Sequence, residues 1–240
     1  MPGTIFNVAA VIAGCLFGIL SRKEPTADTQ RAIKFFLGIF ILWTGLKLCW
    51  TGLNGSFMQI LGQLGLTIIA LSLGHATGGL LRIQIGLNHL GTFARHILTP
   101  SQTPAKPGST SQTFLACSVV FALNPLGIYG SILEGVQGTW EVLAIKAVMD
   151  GLSALAFSRT LGWTVLLSTL PILALQGTIT LLSQSLALHA LSPAMINSIT
   201  ATGGMLVFSV CLIVFPIKKI RLADYLPAFL YAPLLAALLS

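Results

Sequence analysis

The sequence predicts an all-α membrane protein, a polytopic bundle of about eight transmembrane helices, with seven as the alternative count. Three observations predict this class. The chain is 55% hydrophobic and only 8% charged, whereas soluble domains carry roughly 25% charged residues. Its mean hydropathy is +0.89. Its apolar residues occur in runs close to the ~20 residues that cross a bilayer. No polar run is long enough for a soluble domain, so residues 1–240 are predicted to form a single membrane domain.

Several of the predicted spans are interrupted by proline. The fourth contains Asn124-Pro125, the sixth is long and contains Pro171, and the eighth contains Pro227 and Pro233. The fifth is short and carries charged residues. In chain order the spans are 4–20, 34–53, 57–81, 113–133, 142–158, 161–187, 194–215 and 224–239.

Basic residues follow alternate spans. Eleven of the 13 lysines and arginines fall in or beside the connections after spans one, three, five and seven. Because positively charged loops stay in the cytoplasm, this pattern predicts a cytoplasmic side there and both termini on the other side. The net charge of +7 does not indicate a nucleic-acid partner, since the basic residues share no amphipathic face. The expected partner is the lipid bilayer.

One polar stretch separates a three-helix part from a five-helix part. Residues 99–112 are rich in proline, serine and threonine, which is typical of a flexible linker, here on the cytoplasmic side. The preceding residues 82–98 mix basic and apolar positions and are expected to lie as an interfacial helix.

The fifth span carries the strongest functional signal. Lys146 and Asp150 are i,i+4 neighbours within an apolar segment and are able to pair directly. Glu134 and Glu141 are expected near the outer mouth. Charge at membrane depth marks either a pathway or a structural lock, so two hypotheses stay open: a route for a cation, proton or zwitterionic solute, and a buried ion pair that holds helices together.

Other polar residues are expected to line the same interior. The proline after Asn124 leaves the carbonyl four residues earlier without its helical partner, so a backbone oxygen becomes available as a ligand. Taken singly, each polar side chain is explained by an interhelical hydrogen bond, but together they are many for a bundle. They are Asn7, Asn124, Gln176, Asn197, Thr200 and Thr202.

The sequence gives no support for catalysis, a metal or a cofactor. The four histidines lack metal-ligand spacing, and the four cysteines lie singly in apolar runs. His75, within the third span, is typical of a packed or hydrogen-bonded residue. Glycines spaced at helical intervals, as in Gly14-x-x-x-Gly18, indicate close helix packing within the chain. A homo-oligomer remains an open alternative.

Dispersed motifs together resemble one family. They include Gly130-Ser-Ile-Leu-Glu-Gly135, Lys146-Ala-Val-Met-Asp-Gly151, Ser192-Pro-Ala-Met-Ile-Asn197 and Ala201-Thr-Gly-Gly204. The chain resembles the YqgA/YdfK-like bacterial inner-membrane proteins, a family of unknown function. The resemblance implies a multi-pass inner-membrane protein without established activity, and it implies shared polar positions at Asn7, Glu134, Lys146, Asp150, Gln176, Asn197 and Thr202.

One departure from the family pattern concerns the end of the third span. The resemblance leads us to expect an acidic residue after the glycine pair there, whereas this chain has Gly78-Gly79. If that acid serves an ion site in relatives, the site is altered here, with His75 as the replacement.

The resulting hypothesis is a transporter or channel for a small solute or ion. Lys146 and Asp150 form its central pair, Glu134 attracts solute on the outer side, and the remaining polar residues line the path. The alternative is a non-transporting structural or regulatory membrane protein whose polar residues only lock helices together. A membrane-embedded enzyme ranks last, because only His89, His96 and basic residues lie at the predicted interface.

Overall fold

The computed structural model describes residues 1–21, 26–98 and 110–239. Within these ranges the chain is all-helical and contains no strand, which confirms the predicted fold class. Two short 3₁₀ helices, Gly162–Ser168 and Leu222–Tyr225, interrupt the α-helices. The α-helices are α1 (Pro2–Leu20), α2 (Ala27–Gly52), α3 (Phe57–Leu80), α4 (Ile83–Leu98), α5 (Thr110–Ala122), α6 (Pro125–Gln137), α7 (Glu141–Leu161), α8 (Thr169–His189), α9 (Pro193–Val214) and α10 (Ala228–Leu239).

Fewer helical segments than the predicted eight have the length and apolarity of a membrane span in the described part of the chain. Among the described residues, five helical segments are long and apolar enough to cross a bilayer, or six if α5 and α6, bent by 55°, count as one. One of the five is the 49-residue run Glu141–His189, which covers the predicted fifth and sixth spans. At 1.5 Å per residue this run would be about 74 Å long if straight, over twice the hydrocarbon thickness. The predicted eighth span is a helix of only 12 residues.

The run Glu141–His189 is divided near its middle. Gly162 follows α7 with a φ of +67°, a left-handed conformation that favours glycine. The seven-residue 3₁₀ helix then leads into α8. The backbone therefore turns between α7 and α8, although the sequence stays apolar.

Glycines set the closest contacts between α1 and α7. Gly14 and Gly18 lie directly against the backbone carbonyls of Gly151 and Leu155, and a β-carbon at either glycine would clash. Residue numbers at the contacts increase in the same direction along both helices, so α1 and α7 are parallel. The predicted use of the Gly14-x-x-x-Gly18 spacing for packing within the chain is confirmed.

A second glycine series joins α2 to α9. These glycines, Gly38, Gly45 and Gly52, recur every seven residues along α2 and lie against α9. Residue numbers of their α9 neighbours decrease as those of α2 increase, so the two helices are antiparallel. Their nearest neighbours are, in turn, Phe215, Phe208 and Ala201.

Helix α7 lies between two apolar cores. Its first half contributes Val142 and Ile145 to a core shared with α2, α6 and α9. Its second half contributes Ala154 to a core shared with α1, α5 and α8. The Lys146–Asp150 segment therefore lies at the centre of the bundle, where both residues are at most 4% exposed.

The helix directions give the bundle two distinct ends. One end, the acidic face, carries Glu134 and Glu141 with the N-termini of α1, α7 and α9. The opposite end is the basic face. The described basic residues of the connections lie there, in agreement with the predicted alternation: Arg31, Lys34, Arg82, Arg159, Lys218, Lys219 and Arg221.

The region predicted to be interfacial follows α3 at the basic face. A helix does form over the region expected to be interfacial, as α4. The predicted linker 99–112 lies mainly outside the described residues, since 99–109 are not described, while 110–112 form the first turn of α5.

Candidate functional site

Lys146 and Asp150 form a buried ion pair on α7. The Lys146 ammonium contacts the Asp150 carboxylate one helical turn away, so the direct pairing expected from their spacing is present. Lys146 is completely buried and Asp150 is 4% exposed. Because neither charge is solvated, each depends on protein atoms for its stabilisation.

The second partner of Lys146 is a backbone carbonyl that a proline leaves free. Lys146 Nζ donates to the Phe121 carbonyl oxygen at 2.7 Å. Phe121 precedes Pro125 by four residues, so Pro125 has no N–H to donate to it. The oxygen lies at the C-terminal end of α5, where the helix dipole is negative and favours a cation. The predicted free carbonyl is therefore real, and Lys146 uses it.

Asn124 caps helix α6 with its side chain, whereas its neighbour Pro125 frees a backbone carbonyl. Its side chain accepts a hydrogen bond from the Leu126 backbone N–H at 3.0 Å and begins α6 as its N-cap. It therefore fixes the break between α5 and α6, and no hydrogen bond among the described residues joins its side chain to the ion pair.

Two carboxamides lie beside the ion pair. Asn7 Nδ2 on α1 donates to Gln176 Oε1 on α8 at 3.2 Å, and the Asn7 side chain also hydrogen-bonds to Asp150. Gly127 on α6 makes room for this arrangement. A β-carbon there would lie 2.6 Å from Lys146 Cε and 3.0 Å from Gln176 Nε2, so four helices meet at this point.

The carboxamide pair leaves two polar atoms without partners. Asn7 Oδ1 and Gln176 Nε2 are buried and make no hydrogen bond among the described residues. Two carboxamides joined by one hydrogen bond use one donor and one acceptor, so a free donor and a free acceptor remain. Buried polar atoms in proteins nearly always have a partner or a bound water, and this pair calls for an explanation.

Glu134 lies at the acidic face and is 4% exposed. It accepts hydrogen bonds from the Gly3 backbone N–H at 2.6 Å, from Thr4 Oγ1 at 3.2 Å and from Thr180 Oγ1 at 3.3 Å. The terminal amine of Met1 is 3.9 Å away. The carboxylate thus binds the N-terminus of α1, where free N–H groups and the helix dipole favour an anion.

Single helical turns connect Glu134 to the ion pair. Thr4 precedes Asn7 by three residues on α1, and Gln176 precedes Thr180 by four on α8, so each threonine lies one turn from a carboxamide. We call this set the polar row. It runs from the acidic face to the centre of the bundle and comprises Glu134, Thr4, Thr180, Asn7, Gln176, Asp150 and Lys146.

The predicted site residues on α9 lie elsewhere. Asn197 is half-buried near the start of the helix, with its backbone carbonyl against Gly52. The Thr200 hydroxyl donates to the Ile196 carbonyl at 2.8 Å. Thr202 is buried, and its hydroxyl has no partner among the described residues. In the described part of the chain, no hydrogen bond joins these side chains to the polar row.

Glu141 and His75 are also separate from the ion pair. Glu141, at the start of α7, pairs with Lys47 of α2 at 2.7 Å near the acidic face. His75 is exposed towards the basic face, and its ring stacks on Tyr225 at 4.6 Å. His75 therefore lies outside the polar row, and its role as the replacement for an acid stays a prediction.

Comparison with known proteins identifies the family. The DUF554 family, described as a protein of unknown function, matches residues 2–237. The chain belongs to this family. It is 26% identical over 234 residues to the uncharacterised membrane protein YdfK of Bacillus subtilis (strain 168), a match covering 97% of this chain and 94% of YdfK. It is 27% identical over 236 residues to the uncharacterised protein YqgA of Escherichia coli (strain K12), covering 98% and 96%. No solved structure matches the chain.

The family match confirms the resemblance to the YqgA/YdfK-like proteins and supports a membrane location, since YdfK is named a membrane protein. The names of both relatives state no activity. Any function of the polar row must therefore be argued from its own chemistry.

Sequence reasoning did not include several members and neighbours of the polar row. Thr4 and Thr180 were detectable, because each lies at helical spacing from a predicted carboxamide. Gly127 had no such signal, since its role depends on side chains from α7 and α8. Lys47 was also missed: it lies 94 residues from Glu141 in the sequence, and only the packing of α2 near α7 brings the two together.

Proposed function

We propose that this protein is a membrane transporter or channel for a small solute or ion, with the polar row as its pathway and Asp150 as the central group. We also propose that it lies in the bacterial inner membrane with its basic face in the cytoplasm and both termini outside. The distribution of lysine and arginine supports that orientation.

The unpaired carboxamide atoms are the observation that favours transport over a purely structural role. A polar cluster that serves only to lock helices is stable when every member is paired. Leaving Asn7 Oδ1 and Gln176 Nε2 unpaired costs about 1–3 kcal/mol for each group. A passing solute or ion with its water supplies the missing donor and acceptor beside the ion pair.

The charges at the two ends of the polar row are compensated within the protein. Glu134 is bound by the α1 N-terminus, and Lys146 by Asp150 and the end of α5. A cation or proton arriving at Asp150 competes with Lys146 for the carboxylate and releases the ammonium towards Phe121. Because Lys146 stays in the bundle, the incoming cation adds one positive charge there, which the Phe121 carbonyl and the negative end of the α5 dipole help to stabilise.

Passage requires helix movement, because the polar row is closed in this structure. Each of its seven residues is at most 4% exposed. The α1–α7 contact is built from glycines and is smooth, and α5 and α6 are separated by a break at Asn124-Pro125. Broken helices beside a central polar site are a recurrent feature of transporters.

The test is a flux measurement on purified protein in liposomes. We expect the wild type to carry at least one of three probes, namely protons, monovalent cations or the zwitterion glycine, faster than protein-free liposomes. Asp150→Asn should abolish that flux, because the amide carries no charge. Asp28→Asn is the matched control, since Asp28 is exposed and its ion pair among the described residues is with Arg31 on α2.

Unchanged flux in folded Asp150→Asn, with size-exclusion profile and unfolding midpoint retained, would overturn the pathway. Failure of the wild type to move any of the three probes would overturn transport of these classes.

A structural role is the second candidate, and one observation favours it. Lys146 and Asp150 satisfy each other, and the Phe121 carbonyl accepts a further bond from Lys146. Under this reading, replacing both charges with apolar residues preserves the protein's cellular role. Under the transport reading the same double variant folds but carries no flux.

A further inference from the structure

A second feature lies on helices that do not carry the polar row. A cavity of about 1050 Å³ opens between α2, α3 and α9 towards the basic face. This volume is at the upper end of the range for small-molecule sites, roughly 300–1,000 Å³. None of the polar-row residues contributes to its lining. Its occupant is therefore independent of the proposed pathway.

The walls and the mouth of this cavity differ in chemistry. The walls are apolar, with Leu46 from α2, Leu71 from α3 and Leu212 from α9. The mouth is formed by the segment after α9, which contributes Lys218, Lys219 and Arg221. The site is therefore amphipathic, with an apolar interior along three helices and a cationic rim at one end.

The rim cations have no acidic partner among the described residues. Asp28, Glu134, Glu141 and Asp150 are each paired with another cationic group. Asp224 lies close to the rim in sequence, but it is buried and its carboxylate accepts a hydrogen bond from the Gln84 backbone N–H at 2.9 Å. The side chains of Lys218, Lys219 and Arg221 are exposed, so their positive charge is available to a ligand.

The hydroxyl groups inside the cavity are already used. Ser72 Oγ donates to the Ile68 carbonyl at 2.8 Å and Ser209 Oγ to the Met205 carbonyl at 2.8 Å. The interior thus offers mainly apolar contact, and the polar recognition is concentrated at the rim. A free polar solute would match the rim alone and leave the apolar walls without contact.

We infer that this cavity binds an anionic phospholipid of the bilayer, with its phosphate at Lys218, Lys219 and Arg221 and an acyl chain along the α2–α3–α9 walls. Basic pockets between transmembrane helices on the cytoplasmic side suit acidic head groups. The exposed ring of His75, stacked on Tyr225 beside the rim, adds an N–H donor for the head group. Lipid contact here fixes α2, α3 and α9 against one another at the basic face.

Native mass spectrometry of the full-length protein in detergent tests this inference with phosphatidylglycerol and phosphatidylcholine of the same acyl chains. We expect tighter binding of phosphatidylglycerol. Lys218→Gln/Lys219→Gln should weaken it by about 30-fold, because each basic residue near an anionic surface contributes on the order of 1 kcal/mol. Arg31→Gln/Lys34→Gln is the matched control, since it removes two charges on the same face outside the cavity lining.

Three results would overturn the inference. Equal binding of the two lipids would show that the rim does not select charge. An equal loss in the control variant would show that general surface charge is responsible. Displacement of the lipid by inorganic phosphate at the same concentration would show that the rim binds a free anion and that the apolar walls do not contribute. All four variant positions are exposed, so folding is expected to be retained.

Discussion

Lys146→Met removes the ammonium at the centre of the bundle while keeping a long, flexible side chain. Asp150 then loses its ion-pair partner, and the Phe121 carbonyl loses its donor. The carboxylate is 4% exposed, so water cannot replace the lysine. Asn7 remains as its neighbour, but a neutral amide does not compensate a full charge.

The expected loss follows from these contacts. Removing one partner of a buried ion pair costs about 3–5 kcal/mol, and an orphaned carbonyl costs about 1–3 kcal/mol. Part of the two costs overlaps, so we expect about 4 kcal/mol, a large share of the ~5–15 kcal/mol of a typical fold. Lys146→Met/Asp150→Leu removes both charges and should recover all but the carbonyl cost, about 1–3 kcal/mol.

Equilibrium unfolding in mixed micelles, with increasing SDS mole fraction, measures both variants against the wild type. The loss of unfolding free energy in Lys146→Met should become smaller as the pH falls, because a protonated Asp150 needs no counter-charge. Two results would refute the account of a buried, mutually dependent pair. One is a loss of less than about 1 kcal/mol of unfolding free energy in Lys146→Met. The other is a larger loss in Lys146→Met/Asp150→Leu than in Lys146→Met.

Three further predictions concern packing and surface charge. Gly14→Ala should cost about 3 kcal/mol because its β-carbon meets the α7 backbone, whereas Gly62→Ala, with open space around it, should stabilise by about 0.5–1 kcal/mol in the same unfolding assay. The half-exposed Lys47–Glu141 pair should show a coupling of about 0.2–1 kcal/mol in a double-mutant cycle, and the coupling should fall in high salt. Thr44→Val, which removes a buried hydroxyl that has no hydrogen-bond partner among the described residues, should raise the thermal midpoint; a lowered midpoint would contradict the unpaired state.

The break between α5 and α6 shows how far local sequence reasoning reaches. Asn124-Pro125 predicts both an interrupted helix and a free carbonyl, because proline lacks the N–H and the rule depends only on neighbours in the chain. The group that takes this carbonyl, Lys146, lies 25 residues away. No local pattern connects the two, since their contact depends on how α7 packs beside α5.

The polar residues also separate what helical spacing predicts from what only the packing of helices decides. Helical spacing predicts that Asn197, Thr200 and Gly204 share a face of α9, but not which helix that face meets. In the fold, α9 packs on α2 through Gly52 and Gly204, and no hydrogen bond in the described part of the chain joins its polar side chains to Asp150. Asn7 and Gln176, which are 169 residues apart, are the ones that meet at the ion pair.

By itself, the sequence determined that this protein is an all-helical membrane bundle, that its basic residues alternate between connections, and that a lysine and an aspartate share one turn in an apolar segment. Each of these depends on composition or on spacing within one helix. Only the tertiary structure decided which polar residues form one row, which glycine makes room for Lys146, and where a basic rim meets an apolar cavity. The physical reason is that helical periodicity fixes the direction of a side chain relative to its own axis, whereas the rotation and the neighbours of each helix are fixed by packing against the others.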